Sequence, residues 1–470
     1  MTAAPIILWF RRDLRLADQP MLTQALALGR PLIPVFILDP ETEAIGAAAK
    51  WRLGLSVADF ARSLGKLGSR MTFRRGTAAE VLDSLIAETG ADGVVWSRSY
   101  DPATRARDEG VKASLKARGL MAESVPGFLL HEPWDIQTGG GGFYKVYTPY
   151  WKAVRSRVVA DLLPAPKHMP VPSSWPATDI LDDWQMGAAM NRGAAIVLPH
   201  QRVGEGAAMA RLQDFLADKV ATYKERRDFL AEDASSGLSQ NLTYGEISPR
   251  QVWHGGMRAM LEGAAGAEHF LKELVWREFS WHLAYHTPHI TQTNWRPEWD
   301  AFGWRGDSAD AEAWRRGMTG EPVVDAAMRE MFVTGTMHNR ARMIVASYLT
   351  KHLLTHWRVG MDWFADCLTD WDPASNALGW QWVAGSGPDA APYFRIFNPA
   401  TQAKTFDPDG SYRHRFGAEP SKNPAKLALD YFSAAPRRWH LDSKQPAPKP
   451  LVALDVGRAR ALAAYKQRNA

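Results

Sequence analysis

Short apolar runs alternate with longer amphipathic stretches over residues 5–131. IILWF at 6–10, PLIPVFIL at 31–38, MTF at 71–73, GVVW at 93–96 and a weaker segment at 121–125 read as strands. Between them, a 3.6-residue period predicts helices over 18–28, 50–66, 77–89 and 103–118. Strands that are apolar on both faces and separated by helices belong in a parallel sheet covered on both sides. Residues 1–131 are therefore expected to form a Rossmann-like α/β domain. The pattern breaks over 132–199, where Gly139–Gly142 and PAPKHMPVPSSWP predict a long linker with one short helix over 149–161. From 200 to 470 the period is helical almost throughout, with helices expected over 207–221, 249–261, 268–285, 322–334, 338–355, 361–368 and 456–466. A small α/β domain tethered to a larger all-α domain results.

Composition changes this picture little: 46% hydrophobic and 23% charged residues describe an ordinary globular chain. The first apolar run ends at Arg11 and Arg12, too short for a secretion signal or a membrane span. The single Cys367 leaves no intrachain disulfide and no cysteine-based zinc site, so a cytoplasmic protein without a structural metal or membrane anchor is expected. A net charge of +5 makes an acidic partner plausible. No G-x-G-x-x-G follows the first strand, where Arg11, Arg12, Asp13, Leu14 and Arg15 stand instead. A nicotinamide oxidoreductase loses ground accordingly.

The 20 tryptophans are the chemical signal. Each buried indole needs a partner for its N–H, so many of them suggest stacking on nucleobases or relaying electrons. Glu273, Trp276 and Arg277 share one face of a predicted helix, as do Asn339 and Met343 on another. Trp380 and Trp382 project about 200° apart, so one can serve a relay while the other lines a pocket. Ser235, Ser236, Gly237, Leu238 and Ser239 put hydroxyls and a glycine in a loop before a helix, where an anion could be held. Taken alone, each of these has an ordinary structural role: a capped turn, a surface ion pair or a core aromatic.

In order, the strings WFRRDLRLAD (9–18), ELVWREFSWHL (273–283), TGEPVVDAAMREM (319–331), TGTMHNRARM (334–343) and DWDPASNALGWQWVAGSGPDAAPYFRIFNP (370–399) resemble the photolyase/cryptochrome flavoproteins. They are most similar to the bacterial class I cyclobutane pyrimidine dimer photolyases. The resemblance implies an antenna-type α/β domain and a folded FAD in the helical domain. It implies flavin contacts from Tyr223, the 235–239 loop, Arg277, Arg342, Asp370, Trp371, Asp372 and Asn376. Relatives often carry Arg where this chain has Gly237, so the charge of a phosphate is expected to be met elsewhere. Asn376 would face flavin N5, where plant cryptochromes carry Asp and many animal cryptochromes Cys. A neutral amide avoids repelling the reduced anionic ring.

The resemblance further implies an electron relay running outward through Trp380, Trp357 and Trp314 to an exposed terminus. It implies a lesion pocket of Glu273, Trp276, Asn339, Met343 and Trp382, and DNA-backbone contacts from Arg227, Arg340, Arg395 and Gln402. The (6-4) photolyases place histidines at positions 339 and 343, so Asn and Met point to cyclobutane dimers; retention of Trp276 points to duplex DNA. A second chromophore, whether folate, deazaflavin or flavin, is left unassigned, because Ala103 and Thr104 stand where folate-binding relatives show Asn and Glu. The implied activity is light-driven electron donation from reduced FAD to a flipped-out dimer, by a monomer. The rivals are a blue-light cryptochrome, less expected without a disordered C-terminal tail, and a dark flavin oxidoreductase.

Overall fold

The computed structural model describes residues 3–390, 395–419 and 421–468; Ala391–Phe394 of the longest motif lie outside them. Five parallel strands, β1 (Ile6–Phe10), β2 (Leu32–Leu38), β3 (Thr72–Arg75), β4 (Gly93–Ser97) and β5 (Met121–Val125), pair in the order β3-β2-β1-β4-β5. β1, β2 and β4 are buried along their whole length, as their unbroken apolar runs require. Helices α1 (Pro20–Ala27), α2 (Ala47–Lys66), α3 (Ala78–Thr89) and α4 (Pro102–Ala117) connect them. α3 starts where the Thr77 hydroxyl accepts from Glu80 N and stops at left-handed Gly90.

The linker is not a loose tether. Pro170 O accepts from Leu32 N and Phe73 O from Asp179 N, both at 2.9 Å, so it folds back on the sheet domain. Its helix α5 (Tyr147–Arg155) is shorter than 149–161 and begins two residues earlier. The helical domain holds α6 (Glu205–Asp218), α7 (Pro249–Leu261), α8 (Ala267–His286), α9 (Pro322–Thr334), α10 (Asn339–Ser347), α11 (Trp357–Cys367), α12 (Pro373–Ala384) and α13 (Leu454–Gln467). The single helix expected over 338–355 ends at Ser347 and continues as a π turn over Tyr348–His352. No described helix is long and apolar enough to cross a membrane.

Buried polar side chains seal the two domains together. Arg52 of α2 pairs with Glu246 at 2.8 Å, both side chains almost fully buried. Arg15, 1% exposed, donates to Gly245 O at 3.1 Å and to Gly127 O at 2.8 Å. Gly46 lies so close to the Ala365 carbonyl that any Cβ there would collide with it. The basic cluster after β1 thus works largely as a seam: Arg12 donates to Thr243 O at 3.0 Å.

Candidate functional site

α12 organises the site. Its cap, Asp372, accepts from Ser375 N at 2.8 Å with one oxygen and from the Trp281 indole N–H at 3.0 Å with the other. One turn in, Asn376 is 8% exposed and donates to Asp372 O at 2.9 Å. Trp380 follows on the same face; Trp382, two residues on, is partly buried. α12 packs against α8, α10 and α11, which carry Glu273 and Trp276, Asn339 and Met343, and Trp357 respectively.

Just before α12, Asp370 is 4% exposed. Its Oδ2 accepts from Ser239 Oγ and Arg342 Nη2, both at 2.7 Å. Its Oδ1 is buried and has no donor among the described residues. Arg277 also keeps one buried group, Nη2, without a partner there. Orphaned buried polar atoms are rare in native proteins, and each calls for a partner such as a bound ligand or an ordered water. A carboxylate oxygen, a guanidinium and serine hydroxyls suit the polar edge and chain of FAD, so the residues fit that cofactor. Of the expected loop, Ser235, Gly237 and Ser239 are exposed and Ser236 partly so, while Leu238 is in the core and can offer only backbone. Tyr223 is also buried, edge-on to Phe215 at 5.3 Å.

Several expected partners differ. Glu273 pairs with Arg227, not Arg277, and lies 3.7 Å from His269. Arg277 turns to Glu278 at 3.0 Å and Phe128 O at 3.1 Å, which ties α8 to the segment leading into the linker. Burial pushes the Glu278 carboxyl up to about 7, against the opposing pull of Arg277. Arg340 pairs with Asp228 and lies over the Phe406 ring at 4.4 Å. Arg227 and Arg340 are therefore held by carboxylates rather than waiting as open phosphate contacts. Arg395 is exposed and makes no ion pair among the described residues; Gln402 is partly buried with its Oε1 unpartnered.

The relay also needs correction. Trp314 is 0% exposed, donates its N–H to Val345 O at 3.1 Å, and touches Trp380 directly at a ring separation of 6.1 Å. It is an inner residue and cannot be the exposed terminus. Trp357 is fully buried, its N–H on Asn294 Oδ1 at 2.8 Å, and the Trp380 ring lies against Gly360 one turn along the same helix. Beyond Trp357 come His356 at 5.4 Å and then the partly exposed Trp304 at 5.6 Å from His356. Trp304 was legible only as one more indole.

At the expected lesion pocket, Trp276 is partly buried and lies flat on Tyr147, with ring centres 3.7 Å apart and planes 7° off parallel. The Tyr147 hydroxyl donates to Lys272 O at 2.6 Å. Tyr147 comes from the linker helix, and no motif announced it. Asn339 is exposed and Met343 partly buried, with Nδ2 and Sδ 4.0 Å apart.

A second cavity, about 630 Å³, opens at the carboxyl ends of β1, β2 and β4. This is the topological switch point at which doubly wound sheets bind ligands. Arg11, Arg12, Arg98, Tyr100, Ala103 and Thr104 line it from the sheet domain. Tyr244, Trp281 and Trp371 close it from the helical side. Trp371 thus faces this cavity.

Residues 6–171 match the family described as DNA photolyase, and residues 270–467 the FAD binding domain of DNA photolyase. The chain is 45% identical to a deoxyribodipyrimidine photo-lyase of Agrobacterium fabrum, over 99% of its own length and 98% of the relative's. It superposes on the crystal structure of a bacterial class III photolyase from Agrobacterium tumefaciens with a TM-score of 0.92 at 43% identity, covering 100% of this chain and 98% of that one. An archaeal photolyase from Sulfolobus tokodaii, solved with two FAD molecules, gives a TM-score of 0.82 at 28% identity, with 98% and 100% covered.

Proposed function

Since the chain belongs to the photolyase/cryptochrome family of FAD-binding proteins, we propose that it is a light-driven enzyme that repairs cyclobutane pyrimidine dimers in duplex DNA. One observation carries the reading. A single helix, α12, brings the neutral amide Asn376 and the indoles Trp380 and Trp382 against the three helices that bear Glu273 and Trp276, Asn339 and Met343, and Trp357. The chemistry that FAD supplies when bound is donation of an electron on illumination, with its return after the ring has opened.

The chain's part is to bind, orient and stabilise. Asp370 Oδ1 and Arg277 Nη2 would complete their bonding on the cofactor, and Asn376 would meet it without adding negative charge. Trp276, braced by Tyr147, and Trp382 stack on the extruded dimer in place of its lost neighbours. Glu273, once released from Arg227, accepts from a pyrimidine ring N–H. Arg395 holds the DNA backbone, joined by Arg227 and Arg340 once phosphate competes for their carboxylates. The relay runs Trp380, Trp357 and Trp304. The switch-point cavity takes a planar second chromophore. Asn339, Met343 and Asn376 suit a cyclobutane-dimer enzyme of class I or class III, and the likeness to a class III structure widens the class I expectation to that pair.

The test is to add dimer-containing duplex to reduced protein and compare light with dark. Loss of dimers only in light is expected. Binding without conversion under light would establish a cryptochrome, and dark turnover of a small acceptor an oxidoreductase.

A further inference from the structure

The Ser235–Ser239 loop contains no cation, and the helix after it, Ser239–Thr243, is a single turn whose dipole offers a diphosphate little. A cation nevertheless reaches the loop from elsewhere. Arg211, on α6, donates from Nη1 to the Gly237 carbonyl. Gly237 is at φ +61°, and a Cβ built on it would lie 3.2 Å from Arg211 Nη1 and 3.3 Å from Cζ. The guanidinium therefore fills the space that a side chain at 237 would take.

Arg211 is anchored by a helix whose Ala208, Leu212 and Phe215 are buried, and its own side chain is partly buried. It makes no ion pair among the described residues. The nearby carboxylates already have partners: Glu246 holds Arg52 at 2.8 Å, and Asp233 holds Lys219 at 2.6 Å. Burial, with Arg202 and Arg52 close by, pushes the Arg211 guanidinium down from its ordinary range. Such a pocket is short of negative charge.

We propose that Arg211 is the cation that binds the FAD diphosphate in this protein, delivered from α6 to the loop where Gly237 makes room for it. The inference rests on the reading that the 235–239 loop faces the diphosphate. A guanidinium fork can meet two phosphate oxygens at once and brings the positive charge that the loop itself lacks.

The experiment follows FAD release from diluted holoenzyme by the rise in flavin fluorescence, across a series of ionic strengths. Arg211→Gln is expected to release FAD about ten- to a hundredfold faster, with a flatter salt dependence than wild type, and Arg211→Lys to fall between. Circular dichroism of each holoenzyme confirms the fold, and Arg211→Lys keeps the test decisive if the glutamine variant does not fold. Faster release with the wild-type salt dependence would mean that Arg211 only supports the loop, and would overturn the proposal. A Ser235→Ala/Ser236→Ala variant separates the two readings. If it releases FAD faster while Arg211→Gln does not, only the Arg211 assignment falls; if neither changes release, the loop reading falls with it.

Discussion

The switch-point cavity and the α12 site differ in how they treat charge. Around the cavity, most cations have carboxylates: Arg11 pairs with Asp108, Arg107 with Asp108 and Arg98 with Glu132, each at 2.7 Å. Around α12, Asp370 Oδ1 and Arg277 Nη2 are buried without partners among the described residues. A cavity whose ions are matched by the protein is stable whether or not it holds a ligand. A site with orphaned polar atoms gains bonding when its cofactor supplies the partners, so its stability is linked to cofactor binding.

The largest effect should follow Asp370→Ala. It leaves Arg342 and Ser239 without their shared acceptor and costs about 2 kcal/mol or more, even after discounting for the part-exposed Arg342. FAD should be lost on purification, read as missing visible absorption, and the Tm should fall. Arg98→Ala at the cavity rim should retain FAD. Equal flavin loss in both variants would erase the contrast between the two regions.

Next in size are the relay variants. Trp380→Phe should abolish photoreduction of oxidised flavin while sparing repair by chemically reduced protein. Trp304→Phe should slow photoreduction more than Trp314→Phe, because Trp304 is partly exposed and Trp314 is not. The reverse order, read by transient absorption, would put Trp314 in the relay and remove Trp304 from it.

The relay shows where sequence reading stops. β1, β5, α7 and α9 have the bounds that periodicity predicts, because each is set by local pattern and capping; Ser248 and Gln251 close a capping box at α7. The π turn at Tyr348–His352 escaped, since a change to wider hydrogen bonding leaves the apolar spacing nearly intact. Trp304 and Trp314 look alike in sequence, both followed by Arg, and only tertiary packing makes one exposed. For the same reason the carboxylate partners of Arg227 and Arg340, and the Tyr147 brace under Trp276, were invisible: they join segments far apart in the chain.

A smaller effect is expected in the lesion pocket. Trp276→Ala should weaken binding of dimer-containing DNA by about 1–3 kcal/mol while leaving FAD bound, because a stacking surface is lost and no flavin contact is touched. Tyr147→Phe keeps the ring beneath Trp276 and loses only the hydrogen bond to Lys272 O, so its effect should be much weaker. Unchanged affinity in Trp276→Ala, measured by fluorescence anisotropy, would remove the indole from the pocket.

The smallest effect is a pH dependence at the start of α10. His338 caps this helix, its ring Nδ1 accepting from Arg340 N at 3.1 Å, which requires an unprotonated nitrogen. Burial lowers the ring from 6.5 to about 4. The folded value lies below the unfolded one, so the neutral ring's contribution to stability is complete above 6.5 and is lost as the pH falls towards 4. The His338 share of Tm should therefore decline over that window, against the opposite pull of Glu278, Glu321 and Glu330, whose carboxyls burial raises to about 7. Wild type should thus lose Tm relative to His338→Asn, which keeps a capping acceptor without titrating. Dimer affinity should follow the same course, because Asn339 and Met343 lie on the capped helix. A decline of equal slope in the variant would move its origin to His282 and His352, whose rings burial lowers to about 3 and about 4.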